Sequence, residues 1–382
     1  MLQQQGPVNW DAARQLAASI ATEGAPEPNV DPLERIQLEQ LTRVAELQVG
    51  NATTLPTSRS GRGLKIEPVT RTIWMQRTLD AHRDLFESLA GSMSGGMQIT
   101  MPPGEIDDPE ADDPMSKMLG DILQVFSPVM LGMTIGSLLG HLARRSFGQY
   151  DLPIPRPPSD ELMILLGNVD EFGSEWSLPK DDLRLWVSVH EVARHTVLSV
   201  PHVRDRLLSL LKRYVAGFEP DPNALETRLG ELDVSDPNAL QKLPELLGDP
   251  EVMLGAMQSP QQRELLPQLE ATVAVVVGYV DHVMDTIGDG LIASYGMVTE
   301  AMRRRRVTAD PSDRFVERLF GLELTQAHYE RATAFVDGVV ERAGADALER
   351  MWKSERELPT PAEIDAPGLW LARIDLPEPG SN

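Results

Sequence analysis

The chain contains no cysteine among its 382 residues. Disulfides are therefore excluded, and any metal has to be held by His, Asp or Glu. Aromatic residues are scarce, at 5%. Positive charge is short as well: 35 Lys and Arg face 58 Asp and Glu, for a formal net charge of −23. Such a surface repels phosphate backbones, so no nucleic-acid partner is expected. The one basic cluster, Arg303–Arg306, reads as a solvated helix end close to carboxylates. No Gly-rich phosphate loop follows a strand and no GxSxG occurs, which leaves nucleotide binding and a serine-hydrolase elbow without support. The N-terminus, MLQQQGPVNWDAARQL, lacks a basic stretch followed by an apolar run. It does not read as a signal peptide, and a cytoplasmic location is the expectation.

Long apolar runs are also few. FSPVMLGMTIGSLLGHLA (126–143) is the nearest to a membrane span, but it contains Pro128, Ser137 and His141. Gly132, Gly136 and Gly140 share one helical face, a stripe that lets two helices approach closely in water as in lipid. We read the segment as a buried soluble helix.

What is present is helical periodicity. Hydrophobic residues make up 41% and charged residues 24%, ordinary for a globular chain, while 30 prolines and 29 glycines argue for many breaks. The predicted fold is mainly α, a helical bundle with at most a few short strands. Helices are predicted at 9–21, 31–50, 69–91, 115–148, 180–199, 202–218, 263–289, 291–305, 311–320, 325–343 and 345–353. Two DPNAL segments in 221–257 predict a pair of short capped helices. ELMILLGNVDEF (161–172) suits an isolated strand. The stretch 94–114 is rich in Gly, Pro and acid and is expected to be a mobile loop. The proline-dense DLPIPRPPSD (151–160) marks a seam. An N-terminal helical region (1–150) is therefore expected beside a core and Pro-rich tail (151–382) wrapping the surface, with one continuous domain as the alternative.

One stretch carries chemistry: LWVSVHEVARHTVLSV (185–200). In an HExxH helix two histidines four apart differ by only about 40° around the axis, so both face one zinc ion. The glutamate beside the first serves as general base toward the metal-bound water. Here His190 and Glu191 fit, but the second position is Arg194, which has no lone pair to offer. His195 comes one place late, about 140° around from His190. On a regular helix it is expected to pair with Glu191 at the helix surface. Trp186 and Tyr279 read as core packing residues, and Asp285 and Asp289 as a solvated pair.

Beyond that helix, the segments GHLARRSFGQYDLPIPR (140–156), LRLWVSVHEVARH (183–195), GYVDHVMD (278–285), MRRRR (302–306), ERLFGLEL (317–324) and ELPTPAEIDAPGLWLAR (357–373) resemble the actinobacterial zincin-like metallopeptidase type 2 family. The resemblance implies a zincin-like helical fold and a zinc-dependent hydrolase of unknown substrate. It assigns His190 as a metal ligand and Glu191 as catalytic base. Asp281 and His282 match as polar residues of a later helix. Two positions depart from the family. Arg194 replaces a histidine, and Val277 replaces a glutamate that looks like the third ligand.

Zinc binding is thereby expected to be impaired or lost, and the chain to act as a pseudoenzyme, a binding or scaffold protein for a peptide or protein partner. The Arg194 guanidinium is expected in the old metal space, paired with Glu191 or Asp281, with Val277 filling the vacated ligand position. The alternatives are a zinc hydrolase whose ligand set has shifted to His195 or His282, and a helical interaction protein with no link to metal.

Overall fold

The structure is a computed structural model in which residues 6–96, 114–218, 259–308 and 316–376 are described. Most of the predicted loop at 94–114, the DPNAL helices of 221–257 and the start of the helix expected at 311–320 lie outside the described residues. The protein is mainly α, with one pair of short parallel strands.

Helix α1 (Trp10–Thr22) begins at Asn9, whose side chain accepts from Ala12 N at 3.0 Å. Its Ala13, Ala17 and Ala21 are all buried. They lie against the glycine stripe of α5 (Pro114–Arg145). A Cβ at Gly132 or Gly136 would collide with the backbone of Asn9 or Ala13, so the two helix backbones meet with almost nothing between them. No helix among the described residues is long and apolar enough to cross a membrane.

Helix α2 (Pro32–Ala52) carries Asp31 as N-cap and Pro32 at its first position, as the sequence predicts. Strand β1 (Lys65–Pro68) pairs in parallel with β2 (Glu161–Ile164), Ile66 opposite Leu162. The strand expected over 161–172 stops at Ile164, and α6 (Leu166–Glu175) follows. The single helix expected over 69–91 is two, α3 (Arg71–Ala81) and α4 (Arg83–Gly96). Between them His82 leaves helical geometry at φ −114° and ψ 19°.

Helix α7 (Lys180–Leu198) is the centre of the molecule: every residue from Trp186 to Leu198 is buried. It starts with Asp181 and Asp182 facing the positive end of the helix dipole. It stops before Pro201, which is the first residue of α8 (Pro201–Ala216). Helix α2 packs on α7, and with the β1–β2 pair this joins residues on both sides of position 150 in one hydrophobic core.

Helix α9 (Pro260–Leu291) opens with a capping box between Ser259 and Gln262. After it come α10 (Tyr295–Val307), α11 (Gln326–Ala343) and a 3-10 helix at Ala345–Trp352. The tail was expected to wrap the surface. Instead α12 (Pro361–Ile364) and α13 (Pro367–Ile374) dock into the core, with Trp370 at 0% exposure and its Nε1 donating to Glu357 O at 2.7 Å. A large apolar ring with one satisfied polar atom gains more from burial than from solvent.

Candidate functional site

Helix α7 forms one wall of a cavity of about 600 Å³, and His190, Glu191 and Arg194 line it. His190 stacks on Trp186, one helical turn earlier, with ring centroids 4.7 Å apart and planes 20° apart. Trp186 is held in turn by Thr299 Oγ1, 3.2 Å from its Nε1. Burial and the nearby Arg194 and Arg306 keep the imidazole well below its usual pKa, and therefore neutral.

The ring's Nε2 lies 3.3 Å from Nη2 of Arg306. A guanidinium can only donate, so the Nε2 lone pair is the acceptor. The same guanidinium grips Asp281 of α9 with both nitrogens, at 2.9 and 3.0 Å. Asp281 raises the Arg306 pKa against the opposing effect of burial. Tyr329 of α11 packs on the guanidinium at 5.2 Å.

Glu191 is 1% exposed. Its Oε2 accepts from the amides of Gln149 and Tyr150 at 3.0 and 3.1 Å. This turn follows α5 and wraps over the carboxyl so closely that a Cβ at Gly148 would collide with it. The turn is pinned by Trp74 Nε1, which donates to Gly148 O at 2.8 Å, and by Asp151, which accepts from Phe147 N at 2.9 Å. Burial, with Asp151 adding to it, pushes the Glu191 pKa up to about 8. The carboxyl is therefore protonated more readily than an exposed glutamate.

Arg194 was expected to pair with Glu191 or Asp281. It pairs with neither: its Nη1 donates to the carbonyls of Tyr150, at a short contact, and Asp151, at 3.3 Å. Glu191 is already held by the amides of the same turn, and Asp281 by Arg306. The cation that meets Asp281 and His190 thus comes from the RRRR run. Only half of that run is solvated, for Arg303 and Arg304 are exposed while Arg305 and Arg306 turn inward.

His195 is buried, not on the helix surface. Its Nδ1 lies 3.0 Å from Tyr150 Oη and its Nε2 3.4 Å from Ser199 Oγ, so it does not pair with Glu191. Burial takes its pKa down to about 4. His282 is half-buried and lines a second cavity of about 610 Å³, which shares Arg306 and Tyr329 with the first. Val277 is buried one turn before Asp281 on α9. Tyr279 is core, as expected, with its hydroxyl on Glu349. Asp285 is not merely solvated: it accepts from Tyr295 Oη at 2.6 Å. Of the residues singled out in the sequence, Trp186, His190, Glu191 and Arg194 meet in the first cavity. Asp281 stands behind Arg306, and His195 and His282 look elsewhere. Tyr150 and Tyr329 carry no local signal in the sequence, and Arg306 reads there only as part of the basic run.

A profile of the zincin-like metallopeptidase family matches residues 8–371. The chain belongs to that family. Its fold is similar to the crystal structure of a candidate hydrolase with a novel fold from Chloroflexus aurantiacus, at TM-score 0.61 and 24% identity over 97% of this chain and 100% of that one. No curated protein matches the chain.

The family implies zinc, which needs three or four converging lone pairs. Among the described residues no group of three His, Asp or Glu side chains is placed to hold a metal. The donor chemistry explains why: the His190 lone pair and both Asp281 oxygens are engaged by Arg306. Arg194 has no lone pair to offer, and Val277 has no polar side-chain atom. As arranged, these residues do not fit zinc.

Proposed function

We propose that this chain is a zincin-like family member in which arginine has replaced the zinc centre, and that its cavity binds a ligand without hydrolysing it. It acts as a binding or scaffold protein in the cytoplasm, with a peptide or protein as partner. The observation that carries this reading is the Arg306 guanidinium, bidentate on Asp281 and in contact with His190 Nε2. A fixed positive charge beside His190, the residue that the family resemblance assigns as a metal ligand, supports the reading. Glu191, without a metal-bound water to deprotonate, is a buried carboxyl held by two amides.

Elemental analysis tests this reading. Wild-type protein freed of tags is expected to carry almost no zinc. An Arg194→His, Val277→Glu, Arg306→Met variant is expected to carry up to about one ion per chain. A wild-type value near one overturns the proposal and favours a hydrolase with a shifted ligand set. The geometry does not favour that alternative, since His195 lies between Tyr150 and Ser199 and His282 lines the other cavity.

A further inference from the structure

The cavity beside α7 is lined against the grain of the whole chain. The protein carries a net charge of −23, yet Arg145, Arg194, Arg305 and Arg306 all face this one hollow. Three of them meet a carboxylate: Arg145 pairs with Glu317 at 2.8 Å, Arg305 with Asp151 at 3.2 Å, and Arg306 with Asp281 at 2.9 Å. Arg194 does not. It is 5% exposed, and only its Nη1 finds acceptors, the carbonyls of Tyr150 and Asp151. Its Nε is buried without a partner, and its Nη2 makes no hydrogen bond among the described residues. Two carboxyl groups remain on the wall. Glu191 turns to the amides of Gln149 and Tyr150, and Glu175 is exposed. A buried guanidinium Nε without an acceptor is unfavourable, and Nη2 is left free to donate into the cavity.

We propose that this cavity is the binding site of a small ligand bearing an oxyanion, a carboxylate or a phosphate, which completes the hydrogen bonds of Arg194. The planar guanidinium fork matches both oxyanions, and Arg-oxyanion pairs are among the stronger hydrogen bonds. A volume of about 600 Å³ exceeds what a bare ion needs, so the ligand has a body beyond its charged end. Trp176, Trp186 and Tyr329 offer ring surface for that body. The inference rests on the reading that guanidinium groups, rather than zinc, occupy the site, and it names the chemistry of the ligand for that site.

Titration calorimetry with inorganic phosphate, citrate and a short peptide with a free C-terminal carboxylate tests it, with zinc content measured on the same samples. At least one probe is expected to bind wild-type protein about tenfold or more tighter than Arg194→Met, the loss of a charge-assisted fork. The exposed Arg304→Met variant is expected to match wild type and controls for non-specific salt effects. Binding of phosphate alone assigns a phosphate ligand; binding of citrate or the peptide assigns a carboxylate. Should Arg194→Met fail to fold by circular dichroism, Arg194→Lys, which keeps the charge and loses the fork, carries the same comparison. Equal binding by wild type and the Arg194 variant, or no binding by any probe, overturns the inference. If the protein is also free of zinc, that failure leaves the proposed function standing. Zinc near one per chain together with no oxyanion binding overturns both.

Discussion

Arg303 and Arg304 reach solvent while their neighbours Arg305 and Arg306 reach the interior. A step of about 100° per residue carries a run of identical side chains around the helix, so identity in sequence says nothing of role. Arg306→Met leaves Asp281 without its partner. Breaking a buried pair costs on the order of 3–5 kcal/mol; with the Asp281 side chain 27% exposed, solvent screening brings the expectation down to about 2 kcal/mol. Urea denaturation measures it, and Arg306→Met with Asp281→Leu is expected to cost less than the two single changes added. Strict additivity would mean that the pair is not coupled. Gly148 permits a second test. Gly148→Ala presses a methyl on the Glu191 carboxyl, and overpacking of this kind costs about 1–3 kcal/mol. Most of that cost is expected to vanish in a Glu191→Ala background, read from thermal melts of all four proteins.

At the scale of elements, α1 and α5 meet through alanine on one side and glycine on the other. Gly136→Ala drives a Cβ into the backbone of Ala13, and the helices must separate. We expect a loss of about 1–3 kcal/mol and faster hydrogen exchange in α1, with α7 protected as before. Uniform acceleration across both helices would mean that the contact is not local. Both small-residue stripes are visible in the sequence at four-residue spacing, but nothing in either stripe names the other as its partner. The helix expected from 263 starts instead at Pro260, where Ser259 and Gln262 form a capping box. The break at His82 is not legible in the sequence. Thr70 to Ala90 keeps a helical period throughout, and only the packing of α3 and α4 against different neighbours bends the chain there.

Across the whole molecule, acidification acts with two signs. His82 is buried and its pKa is lowered to about 3. Its neutral form favours the fold above the unfolded value near 6.5, and that stability is lost as pH falls toward 3. Glu191, raised to about 8, works the other way, since its protonated form favours the fold as pH falls from 8 toward 4.5. Net stability is therefore a poor readout, and the difference between two proteins is a better one. Relative to wild type, His82→Leu is expected to gain about 2 kcal/mol between pH 8 and pH 5, measured by urea denaturation at each pH. A difference that stays flat with pH would mean that His82 titrates normally in the fold.

The sequence by itself determined the helical class, the ends of α2, α7 and α8, and the family. Each of these is carried by residues close in the chain: a cap and its proline, a 3.6-residue period, or HEVARH read against HExxH. Only the tertiary structure decided which arginine meets Asp281 and His190, that Arg194 turns to carbonyls, and that His195 is buried beside Tyr150. Those outcomes join residues 25 to 116 positions apart. They depend on how a turn after α5 and the end of α10 come to rest against α7. That placement comes from the shape of the shared core, which no local pattern encodes.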